Sequence, residues 1–492
     1  MTPWPKNPMI YEINAWVWLT ELTRQAARPL TLGSVPDAEW DRIAALGFDA
    51  VWLMGVWERS PEGIRISMGN PGLRQDFVRA LPDFDEPDNV GSPYCVRRYA
   101  VDPHLGGAAG LAAARNKLAA RGVRLVLDFV PNHVAPDHPW VQEHPGRFIQ
   151  GDTEDLSRDP RSFLAIGGKV IACGRDPFFP AWPDVLQLNA FDEGLRAAVK
   201  DTLIDIAGQC DGVRCDMAML LVSSVFERTW GHRAGPRPAT EYWREVIPAV
   251  KARHPDFRFI AEAYWDMEWE LQQQGFDACY DKRLYDRLEH DAAETVRLHL
   301  CADLAYQEKL LRFIENHDEP RAAATFDPAR HRAAAVTALT QTGIALIHEG
   351  QMEGRRVRLP VFLARRPDEP VDRDLVAFYG RLLDTLRETG VRRGAWRLCE
   401  RSGWPDNQSH LNIVSWCWQS ARSRCLIVVN LSGAPAQAQV RVPIDSLRGR
   451  TWSLRDAFTS AVFERHGDGM CDPGLYVDLP AWGIHMLTWP PA

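Results

Sequence analysis

The chain has 492 residues and a formal net charge of −8, with acidic and basic residues well mixed along its length. This length exceeds one ordinary domain and suits a large barrel with insertions plus a smaller domain. The absence of a basic stripe argues against a nucleic acid partner. No uninterrupted apolar run reaches the roughly 20 residues that a spanning helix needs, so we expect no membrane partner.

The first segment predicts a strand rather than a secretion leader. Residues 9–14, Met-Ile-Tyr-Glu-Ile-Asn, have a strand-like pattern, and no apolar core with a small-residue cleavage site precedes them. The ten cysteines form no Cys-x-x-Cys pair, and several, such as Cys215 and Cys425, lie in apolar runs. These features favour a reduced, cytoplasmic protein. Structural disulfides are the alternative that an even number of cysteines leaves open.

Eight apolar runs rich in β-branched residues predict eight strands. The runs begin near Ile10, Val51, Leu125, Val213, Phe259, Phe276, Phe313 and Ile344. Helix-like stretches lie between them, for example residues 37–46, 112–120 and 329–339. Alternating strands and helices predict a parallel sheet covered by helices. Eight such units predict a (β/α)8 barrel, the TIM-barrel fold.

Two regions depart from this alternation. The gap between the third and fourth strands is far longer than a plain connection, which predicts a short inserted domain of irregular structure beside the cleft. After about Leu383 the pattern changes to alternating strands, which predicts a C-terminal antiparallel β-sandwich. We expect the barrel in residues 1–133 and 191–385, the insert in residues 134–190 and the sandwich in residues 386–492.

Four short polar motifs follow or end predicted strands. They are Asp128-Phe-Val-Pro-Asn132-His133, Gly212-Val-Arg214-Cys-Asp216, Ile260-Ala-Glu262-Ala and Glu315-Asn316-His317-Asp318. A (β/α)8 barrel keeps its active site at the carboxyl ends of its strands, so we expect these side chains on one rim. Together the motifs resemble the α-amylase family of retaining α-glucoside hydrolases and transglycosidases. The resemblance covers the barrel and extends to the C-terminal domain.

The resemblance implies a double displacement that uses three carboxylates. Asp216 would be the nucleophile that forms a covalent β-glucosyl intermediate, and Glu262 would be the general acid and base. Retention requires their carboxyl groups to lie roughly 5 to 5.5 Å apart. Asp318 would hold the 2- and 3-hydroxyls of the sugar. The alternatives are a structural ion pair of Asp216 with Arg214, and a solvated strand terminus for Glu262.

Five further residues are expected to bind substrate. By resemblance Tyr94 would stack under the sugar ring, and His133 and His317 would donate hydrogen bonds to the same sugar. Arg214 lies on the same side of its strand as Asp216 and would keep that carboxylate ionised and oriented. Trp265 is either a sugar platform or a lid over the core. Tyr94 has the alternative of packing its own loop.

We expect no required cofactor and no metal site. Asn132 matches a position that often binds calcium in the family, together with an aspartate from the inserted domain. The segment after Asp216 lacks the Lys-His that often supplies a calcium ligand, which argues against calcium here. For Asn132 and Asp184, local hydrogen bonding in a turn is the favoured interpretation.

The predicted reaction is hydrolysis of α-glucosidic bonds, of the α-1,4 type, in an α-glucan or maltooligosaccharide. A transglycosidase or phosphorylase with the same intermediate is the first alternative, and the basic residues in 354–358 and 365–366 leave a phosphate acceptor open. A non-catalytic glycan-binding or scaffold barrel predicts the loss of a carboxylate, and all three are present. Cys95, where relatives that act on a terminal glucose often carry Asp, argues against a plain exo-α-glucosidase.

Overall fold

A computed structural model describes residues 3–491, and its centre is a closed barrel of eight parallel strands. The strands are β1 (Met9–Asn14), β2 (Ala50–Met54), β3 (Arg124–Phe129), β4 (Gly212–Cys215), β5 (Arg258–Ala261), β6 (Ala278–Tyr280), β7 (Leu310–Arg312) and β8 (Ile344–His348). Each strand pairs with its sequence neighbours, and β1 closes the ring against β8. The predicted (β/α)8 barrel is confirmed.

The seventh strand shows the largest error in the predicted strand positions. Its start was expected near Phe313, whereas β7 begins at Leu310 and ends at Arg312. The Arg312 side chain is buried, and its Nε donates to Asp281 Oδ2 at 3.0 Å. A buried arginine interrupts the apolar pattern of β7, and this displaced the prediction toward the apolar residues that follow.

Helices cover the outside of the barrel. They include Ala15–Ala26, Asp37–Ala45, Gly107–Ala120, Glu193–Gln209, Tyr242–Lys251, Lys282–His290, Ala293–Leu300, Pro328–Leu339 and Arg373–Thr389. Asp192, Asp327 and Asp372 cap three of them by accepting backbone N–H groups of the first turn. Further helices lie in the connections, at Pro61–Gly69, Pro71–Ala80, Trp140–Glu143, Thr153–Arg158, Ser223–Trp230, Glu268–Gln273, Leu304–Gln307 and Ala322–Thr325. In residues 3–491, no helix has the length and apolar character required to cross a membrane.

The insert after β3 is more regular than expected. It forms a five-stranded antiparallel sheet from His133–Val134, Gln150–Gly151, Phe163–Ile166, Lys169–Gly174 and Trp182–Gln187. The turn between the third and fourth of these strands is Gly167-Gly168, and both glycines have positive φ, as a tight hairpin requires. Strands of two to six residues carry only a weak alternating signal, so the sequence pattern did not reveal this sheet.

The C-terminal segment folds into two antiparallel sheets that share a core. The larger sheet contains Ala395–Leu398, Ile413–Gln419, Arg424–Asn430, Thr451–Asp456, Val462–His466 and Ile484–Trp489, and the smaller one contains Glu400–Ser402, Ala436–Arg441 and Leu475–Leu479. Buried side chains from both sheets, such as Leu426 and Val477, belong to one apolar cluster. The expected antiparallel sandwich is confirmed.

The sandwich packs against the barrel through two buried tryptophans. The indole N–H groups of Trp416 and Trp418 both donate to the carbonyl of Thr340, at 3.1 and 2.7 Å. Thr340 directly follows the helix Pro328–Leu339, which precedes β8. Both rings belong to the same apolar cluster as the barrel helices. The core of the barrel therefore continues into the sandwich.

Candidate active site

The ends of β4 and β5 bring Asp216 and Glu262 to one guanidinium. Asp216 directly follows β4, Glu262 directly follows β5, and the two strands pair in register up to Cys215 and Ala261. Arg214 Nη1 donates to Asp216 Oδ1 at 2.8 Å, and its Nη2 lies 2.8 Å from Glu262 Oε2. The two carboxylates that the sequence singled out are therefore neighbours on one rim of the barrel.

Arg214 is buried among aromatic rings and carboxylates. Its guanidinium lies 5.1 Å from the ring centre of Tyr94 and 5.5 Å from that of Trp52, both within the range of cation–π attraction. Its Nε donates to Tyr280 Oη at 3.3 Å. Asp128 Oδ1 lies 4.0 Å away, while Asp128 Oδ2 accepts the N–H of Gly55 and so braces the end of β3.

Glu262 is almost fully buried, which favours its neutral form. Burial raises the pKa of Glu262 to about 7. The nearby Asp216 and Asp318 carboxylates also raise this pKa, whereas Arg214 lowers it. Glu262 Oε2 accepts the N–H of Met217 at 2.6 Å, and Oε1 accepts the Tyr264 hydroxyl at 3.1 Å. Glu262 therefore holds its proton up to near-neutral pH.

Asp216 ionises more readily than Glu262. Burial raises the pKa of Asp216 to about 6, and the charge and hydrogen bond of Arg214 oppose this rise. At a pH between the two pKa values, Asp216 is a carboxylate and Glu262 is a carboxylic acid. This is the charge distribution that a nucleophile and a proton donor require.

Asp318 and His317 form an ion pair on the neighbouring side of the rim. His317 Nε2 lies 3.0 Å from Asp318 Oδ2, and Nδ1 faces the buried carboxylate of Glu12 at the end of β1. Burial disfavours the charge on His317, but the Asp318 and Glu12 carboxylates outweigh it and raise its pKa to about 10. Burial acts against ionisation of Asp318, yet His317 and Arg214 lower its pKa to about 2. The Asp318 side chain is 41% exposed, the most open of the three carboxylates.

Tyr94 and His133 complete the ring of side chains. The Tyr94 hydroxyl lies 2.5 Å from His317 Nε2, and the two rings are stacked at 5.5 Å. His133 bonds to the backbone of Tyr94, and burial lowers the pKa of His133 to about 4, so its imidazole is neutral. The structure thus brings together seven of the eight predicted site residues, namely Tyr94, His133, Arg214, Asp216, Glu262, His317 and Asp318.

The eighth, Trp265, lies at the margin of the cleft. Its ring is 37% exposed and meets Phe178 of the insert edge-on at 4.8 Å. Trp265 and Asp266 both have positive φ, a conformation that costs energy in residues other than glycine. An ion pair between Asp266 and Arg283 holds this turn. Its exposure argues against the interpretation of Trp265 as a lid over the core.

Glu12 and Tyr264 are site residues that the sequence analysis did not assign. Glu12 is fully buried, and only its contact with His317 reveals its place in the site. The available signal was a glutamate within the otherwise apolar strand Met9–Asn14. Tyr264 lies two residues after Glu262, and its hydroxyl bonds directly to the Glu262 carboxylate.

The environment of Asn132 does not fit a calcium ion. Its side-chain amide pairs head to tail with that of Gln187: Asn132 Nδ2 donates to Gln187 Oε1 at 3.2 Å, and Gln187 Nε2 donates to Asn132 Oδ1 at 2.9 Å. An NH₂ donor thus occupies the side-chain oxygen of Asn132, whereas calcium requires six to eight free oxygen ligands. Over residues 3–491, no group of three or more His, Cys, Asp or Glu side chains is arranged to hold a metal ion.

Comparison with known sequences links the first part of the barrel to a described family. Residues 39–159 match the model of the α-amylase catalytic domain. The α-amylase MalA of Haloarcula japonica is 23% identical over 373 residues, which cover 72% of this chain and 45% of that protein. The α-1,4-glucan:maltose-1-phosphate maltosyltransferase of Burkholderia pseudomallei is 28% identical over 256 residues, 49% of this chain and 18% of that protein. The chain spans less than half the length of these two curated relatives.

Solved structures share the whole architecture. The maltogenic α-amylase AmyB from Thermotoga neapolitana superposes with a TM-score of 0.69 over 99% of both chains at 18% identity. An α-amylase from Lactobacillus plantarum gives a TM-score of 0.66 at 20% identity, covering 98% of this chain and 99% of that one. At these identities the likeness is one of fold. The chain is thus similar to the α-amylase family in the segment that matches the family model, and it shares the fold of solved α-amylases.

Proposed function

We propose that this protein is a retaining glycosidase that cleaves α-1,4-glucosidic bonds of maltooligosaccharides or α-glucans. The observation that carries the proposal is the contact of one arginine with two carboxylates. Arg214 lies 2.8 Å from both Asp216 and Glu262 on adjacent strand ends. The pKa of Asp216, the nucleophile, is about 6, and that of Glu262, the acid, is about 7. A non-catalytic barrel has no need for this arrangement.

In the first step, Asp216 attacks the anomeric carbon while Glu262 gives its proton to the glycosidic oxygen. The bond to the leaving sugar breaks, and a β-glucosyl ester forms on Asp216. Glu262 is then a carboxylate beside Arg214. In the second step it removes a proton from water, whose oxygen attacks the same carbon and releases Asp216. Two inversions retain the α configuration.

The surrounding side chains bind the sugar of the donor site. Asp318 is the exposed carboxylate and accepts hydrogen bonds from the 2- and 3-hydroxyls, contacts that strengthen as the ring flattens in the transition state. The Tyr94 ring supports the apolar face of the sugar, and the neutral His133 beside it contacts the same unit. Charged His317, held by Glu12, fixes Asp318 in place.

We further propose that the reaction needs neither a cofactor nor calcium, and that the protein is cytoplasmic. The carboxylate chemistry is complete in itself, and the Asn132–Gln187 amide pair supports a calcium-free site. All ten cysteines lie in the described part of the chain and are free thiols, which supports a reducing compartment.

Transfer to a sugar acceptor is the second candidate function. The exposed pair Trp265 and Phe178 stands beside the loop that carries Glu262, where an acceptor sugar would stack. Phosphate as acceptor has less support, because three of the five arginines in residues 354–358 and 365–366 are already paired with carboxylates, among them Arg355 with Glu21. Arg365 pairs with Asp88, and Arg366 pairs with Glu21 and Glu349.

A timed digest of maltoheptaose tests the proposal. The products are followed without additions, with phosphate and with glucose, and we expect shorter sugars in all three reactions. Longer sugars only with glucose would indicate transfer, and a sugar phosphate would contradict the proposal. Asp216→Asn should lower kcat by at least about 10³-fold without lowering Tm. Asp76→Asn, an exposed carboxylate on the helix Pro71–Ala80, is the matched control and should retain full activity.

A further inference from the structure

We propose that the donor side of the cleft is closed by interlocked loops, and that the enzyme removes single glucosyl units from non-reducing ends, with Arg358 binding the terminal 4-hydroxyl. This inference rests on the proposed cleavage of α-glucosidic bonds and names the part of the substrate that enters the site. The loops concerned, residues 83–93 after β2 and residues 357–366 after β8, are called the donor wall below.

The barrel topology defines where the donor side lies. Glu262 protonates the leaving oxygen, so the leaving part of the substrate extends past the end of β5. In a pyranose ring the 4-hydroxyl lies across the ring from the anomeric carbon. Within the closed barrel β1 lies opposite β5, with β2 and β8 on either side of it. A glucan continuing beyond the 4-hydroxyl would therefore run into the loops after β1, β2 and β8.

Backbone hydrogen bonds join the two loops of the donor wall. The Val90 N–H donates to Phe362 O at 2.9 Å, and the Ala364 N–H donates to Asp88 O at 2.9 Å. Between them Asn89 and Leu363 form an antiparallel bridge. These contacts have strand-like geometry and connect loops that are about 270 residues apart in the sequence.

Side chains reinforce this closure. Arg365 Nε donates to Asp88 Oδ1 at 2.6 Å, and its Nη1 lies 3.1 Å from Asp83 Oδ2. Leu363 is fully buried in a small apolar cluster with Phe77, Leu81, Phe84 and Phe362. A cluster of this kind excludes water from the seam between the loops, so the wall is a packed surface and not a gap bridged by a single contact.

The helix after β1 is tied to the same wall. Glu21, in the helix Ala15–Ala26, accepts hydrogen bonds from Arg366 Nε at 2.8 Å and from Arg355 Nη2 at 3.4 Å. Arg366 also pairs with Glu349, just after β8. All three loops opposite Glu262 are thus linked by ion pairs. On the other side of the cleft, Trp265 and Phe178 remain exposed and leave room for a long leaving chain.

Arg358 is the polar group that the wall presents to the donor sugar. Together with Asn316 and His317 it lines one small cavity beside the catalytic rim. Its side chain is exposed, and among residues 3–491 it makes no hydrogen bond or ion pair that would neutralise it. The positive charge of Arg358, like those of His317 and Arg214, lowers the pKa of Asp318. Its guanidinium is therefore available to a hydroxyl next to those that Asp318 binds.

Cys95 does not contradict this inference. The absence of an aspartate at this position argued against action on a terminal glucose, but Cys95 is buried and its thiol donates to Asp184 O at 3.0 Å. The side chain at position 95 thus faces the insert and leaves the terminal hydroxyls to other groups. Arg358 provides the missing polar contact from the opposite loop.

A substrate with a blocked end tests the closure. We would compare 4-nitrophenyl α-maltoheptaoside with the same compound carrying a 4,6-O-ethylidene group on its non-reducing end. The free compound should release glucose stepwise, and the blocked one should react at least about 100-fold more slowly, because the wall rejects the added group. Cleavage of both at similar rates, with mid-chain products, would overturn the inference. Cleavage of neither would overturn the proposed function and this inference with it.

A deoxy substrate tests Arg358 itself. For wild type, kcat/KM for 4-nitrophenyl α-glucoside should exceed that for its 4-deoxy analogue by about 10- to 100-fold, the value of a hydrogen bond to a charged group. In Arg358→Met the ratio should fall below about threefold. Arg356→Met, an exposed neighbour in the same loop, is the matched control and should keep the wild-type ratio. An unchanged ratio in Arg358→Met would exclude the assigned contact.

Discussion

At the scale of single residues, Arg214 links the two central carboxylates of the site. One guanidinium faces Asp216 and Glu262 at equal distance, so it does not by itself separate their pKa values. Part of the separation is the lower ordinary pKa of an aspartate, 3.8 against 4.5 for a glutamate. Burial raises the pKa of both groups, and nearby carboxylates add to each rise: Asp216 and Asp318 for Glu262, and Asp318 and Asp128 for Asp216. In the proposed mechanism, this order of pKa values gives Asp216 the role of nucleophile and Glu262 the role of acid.

Replacing the proton donor should affect substrates according to their leaving groups. Glu262→Gln keeps the shape of the side chain but removes the acid, so kcat/KM for maltooligosaccharides should fall by about 10²- to 10⁴-fold. For 2,4-dinitrophenyl α-glucoside, whose leaving group needs no proton, the loss in kcat/KM should be far smaller. Glu268→Gln is the matched control, because burial raises the pKa of Glu268 to about 7 as well, but Glu268 lies outside the catalytic rim. Equal losses on both substrates would contradict the acid role.

The pH dependence of kcat/KM follows from the same two groups. Asp216 must be ionised, so activity should fall as the pH drops below about 6, its pKa. Glu262 must be protonated, so activity should fall as the pH rises through about 7. His317, with a pKa of about 10, remains charged throughout this range. The profile for maltooligosaccharides should be bell-shaped.

The alkaline limb of that profile distinguishes the acid from other groups. For 2,4-dinitrophenyl α-glucoside the limb near pH 7 should disappear from kcat/KM, because its cleavage requires no proton. An identical limb for both kinds of substrate would assign the alkaline pKa to a residue other than Glu262.

At the scale of elements, the insert is fastened to the barrel by a buried amide pair. Gln187 ends the strand Trp182–Gln187, is fully buried and donates to Asn132 O and to Leu188 O, both at 3.0 Å. Asn132 immediately precedes His133, which contacts Tyr94. The amide pair therefore supports the side chains that are proposed to bind the sugar.

Loss of the Gln187 amide should destabilise the protein. Gln187→Leu leaves several buried polar groups without partners and should lower the free energy of unfolding by about 2–4 kcal/mol in urea titrations. Gln150→Leu, an exposed glutamine of the same insert, should change it by less than about 0.5 kcal/mol. A chelator should leave the Tm of the wild type unchanged. A fall in Tm that added calcium restores would refute the metal-free interpretation of this site.

Strand positions and site residues were predictable where they depend on local sequence. Strands buried on both faces are continuous apolar runs, and the motifs that follow them identified Asp216 and Glu262 directly. Arg312 obscured β7 because its charge is neutralised by a distant partner, Asp281. Glu12 and the donor wall depend on contacts between residues hundreds of positions apart, and no local pattern encodes such contacts.

At the scale of the whole molecule, the sandwich contacts the segment just before β8, the strand that leads into the donor wall. Trp416 and Trp418 hold the carbonyl of Thr340, and only three residues separate Thr340 from β8. Arg330, on the helix before Thr340, adds a cation–π contact with Trp482 of the sandwich at 5.2 Å. β8 ends at His348, where the loop with Glu349 and Arg358 begins. Barrel and sandwich are therefore expected to unfold as one cooperative unit.

Trp418→Ala tests this coupling. The ring is fully buried, so its removal should leave a cavity and remove one of the two indole hydrogen bonds to the Thr340 carbonyl, lowering the free energy of unfolding by about 3–5 kcal/mol. Trp404→Ala, a half-buried tryptophan that contacts Tyr476 within the sandwich, is the control and should cost much less. Because one core joins both parts, far-UV circular dichroism and loss of activity should give the same midpoint in urea for the variant. Two separate transitions, with activity surviving the first, would show that the sandwich is an independent unit and that the barrel does not depend on it.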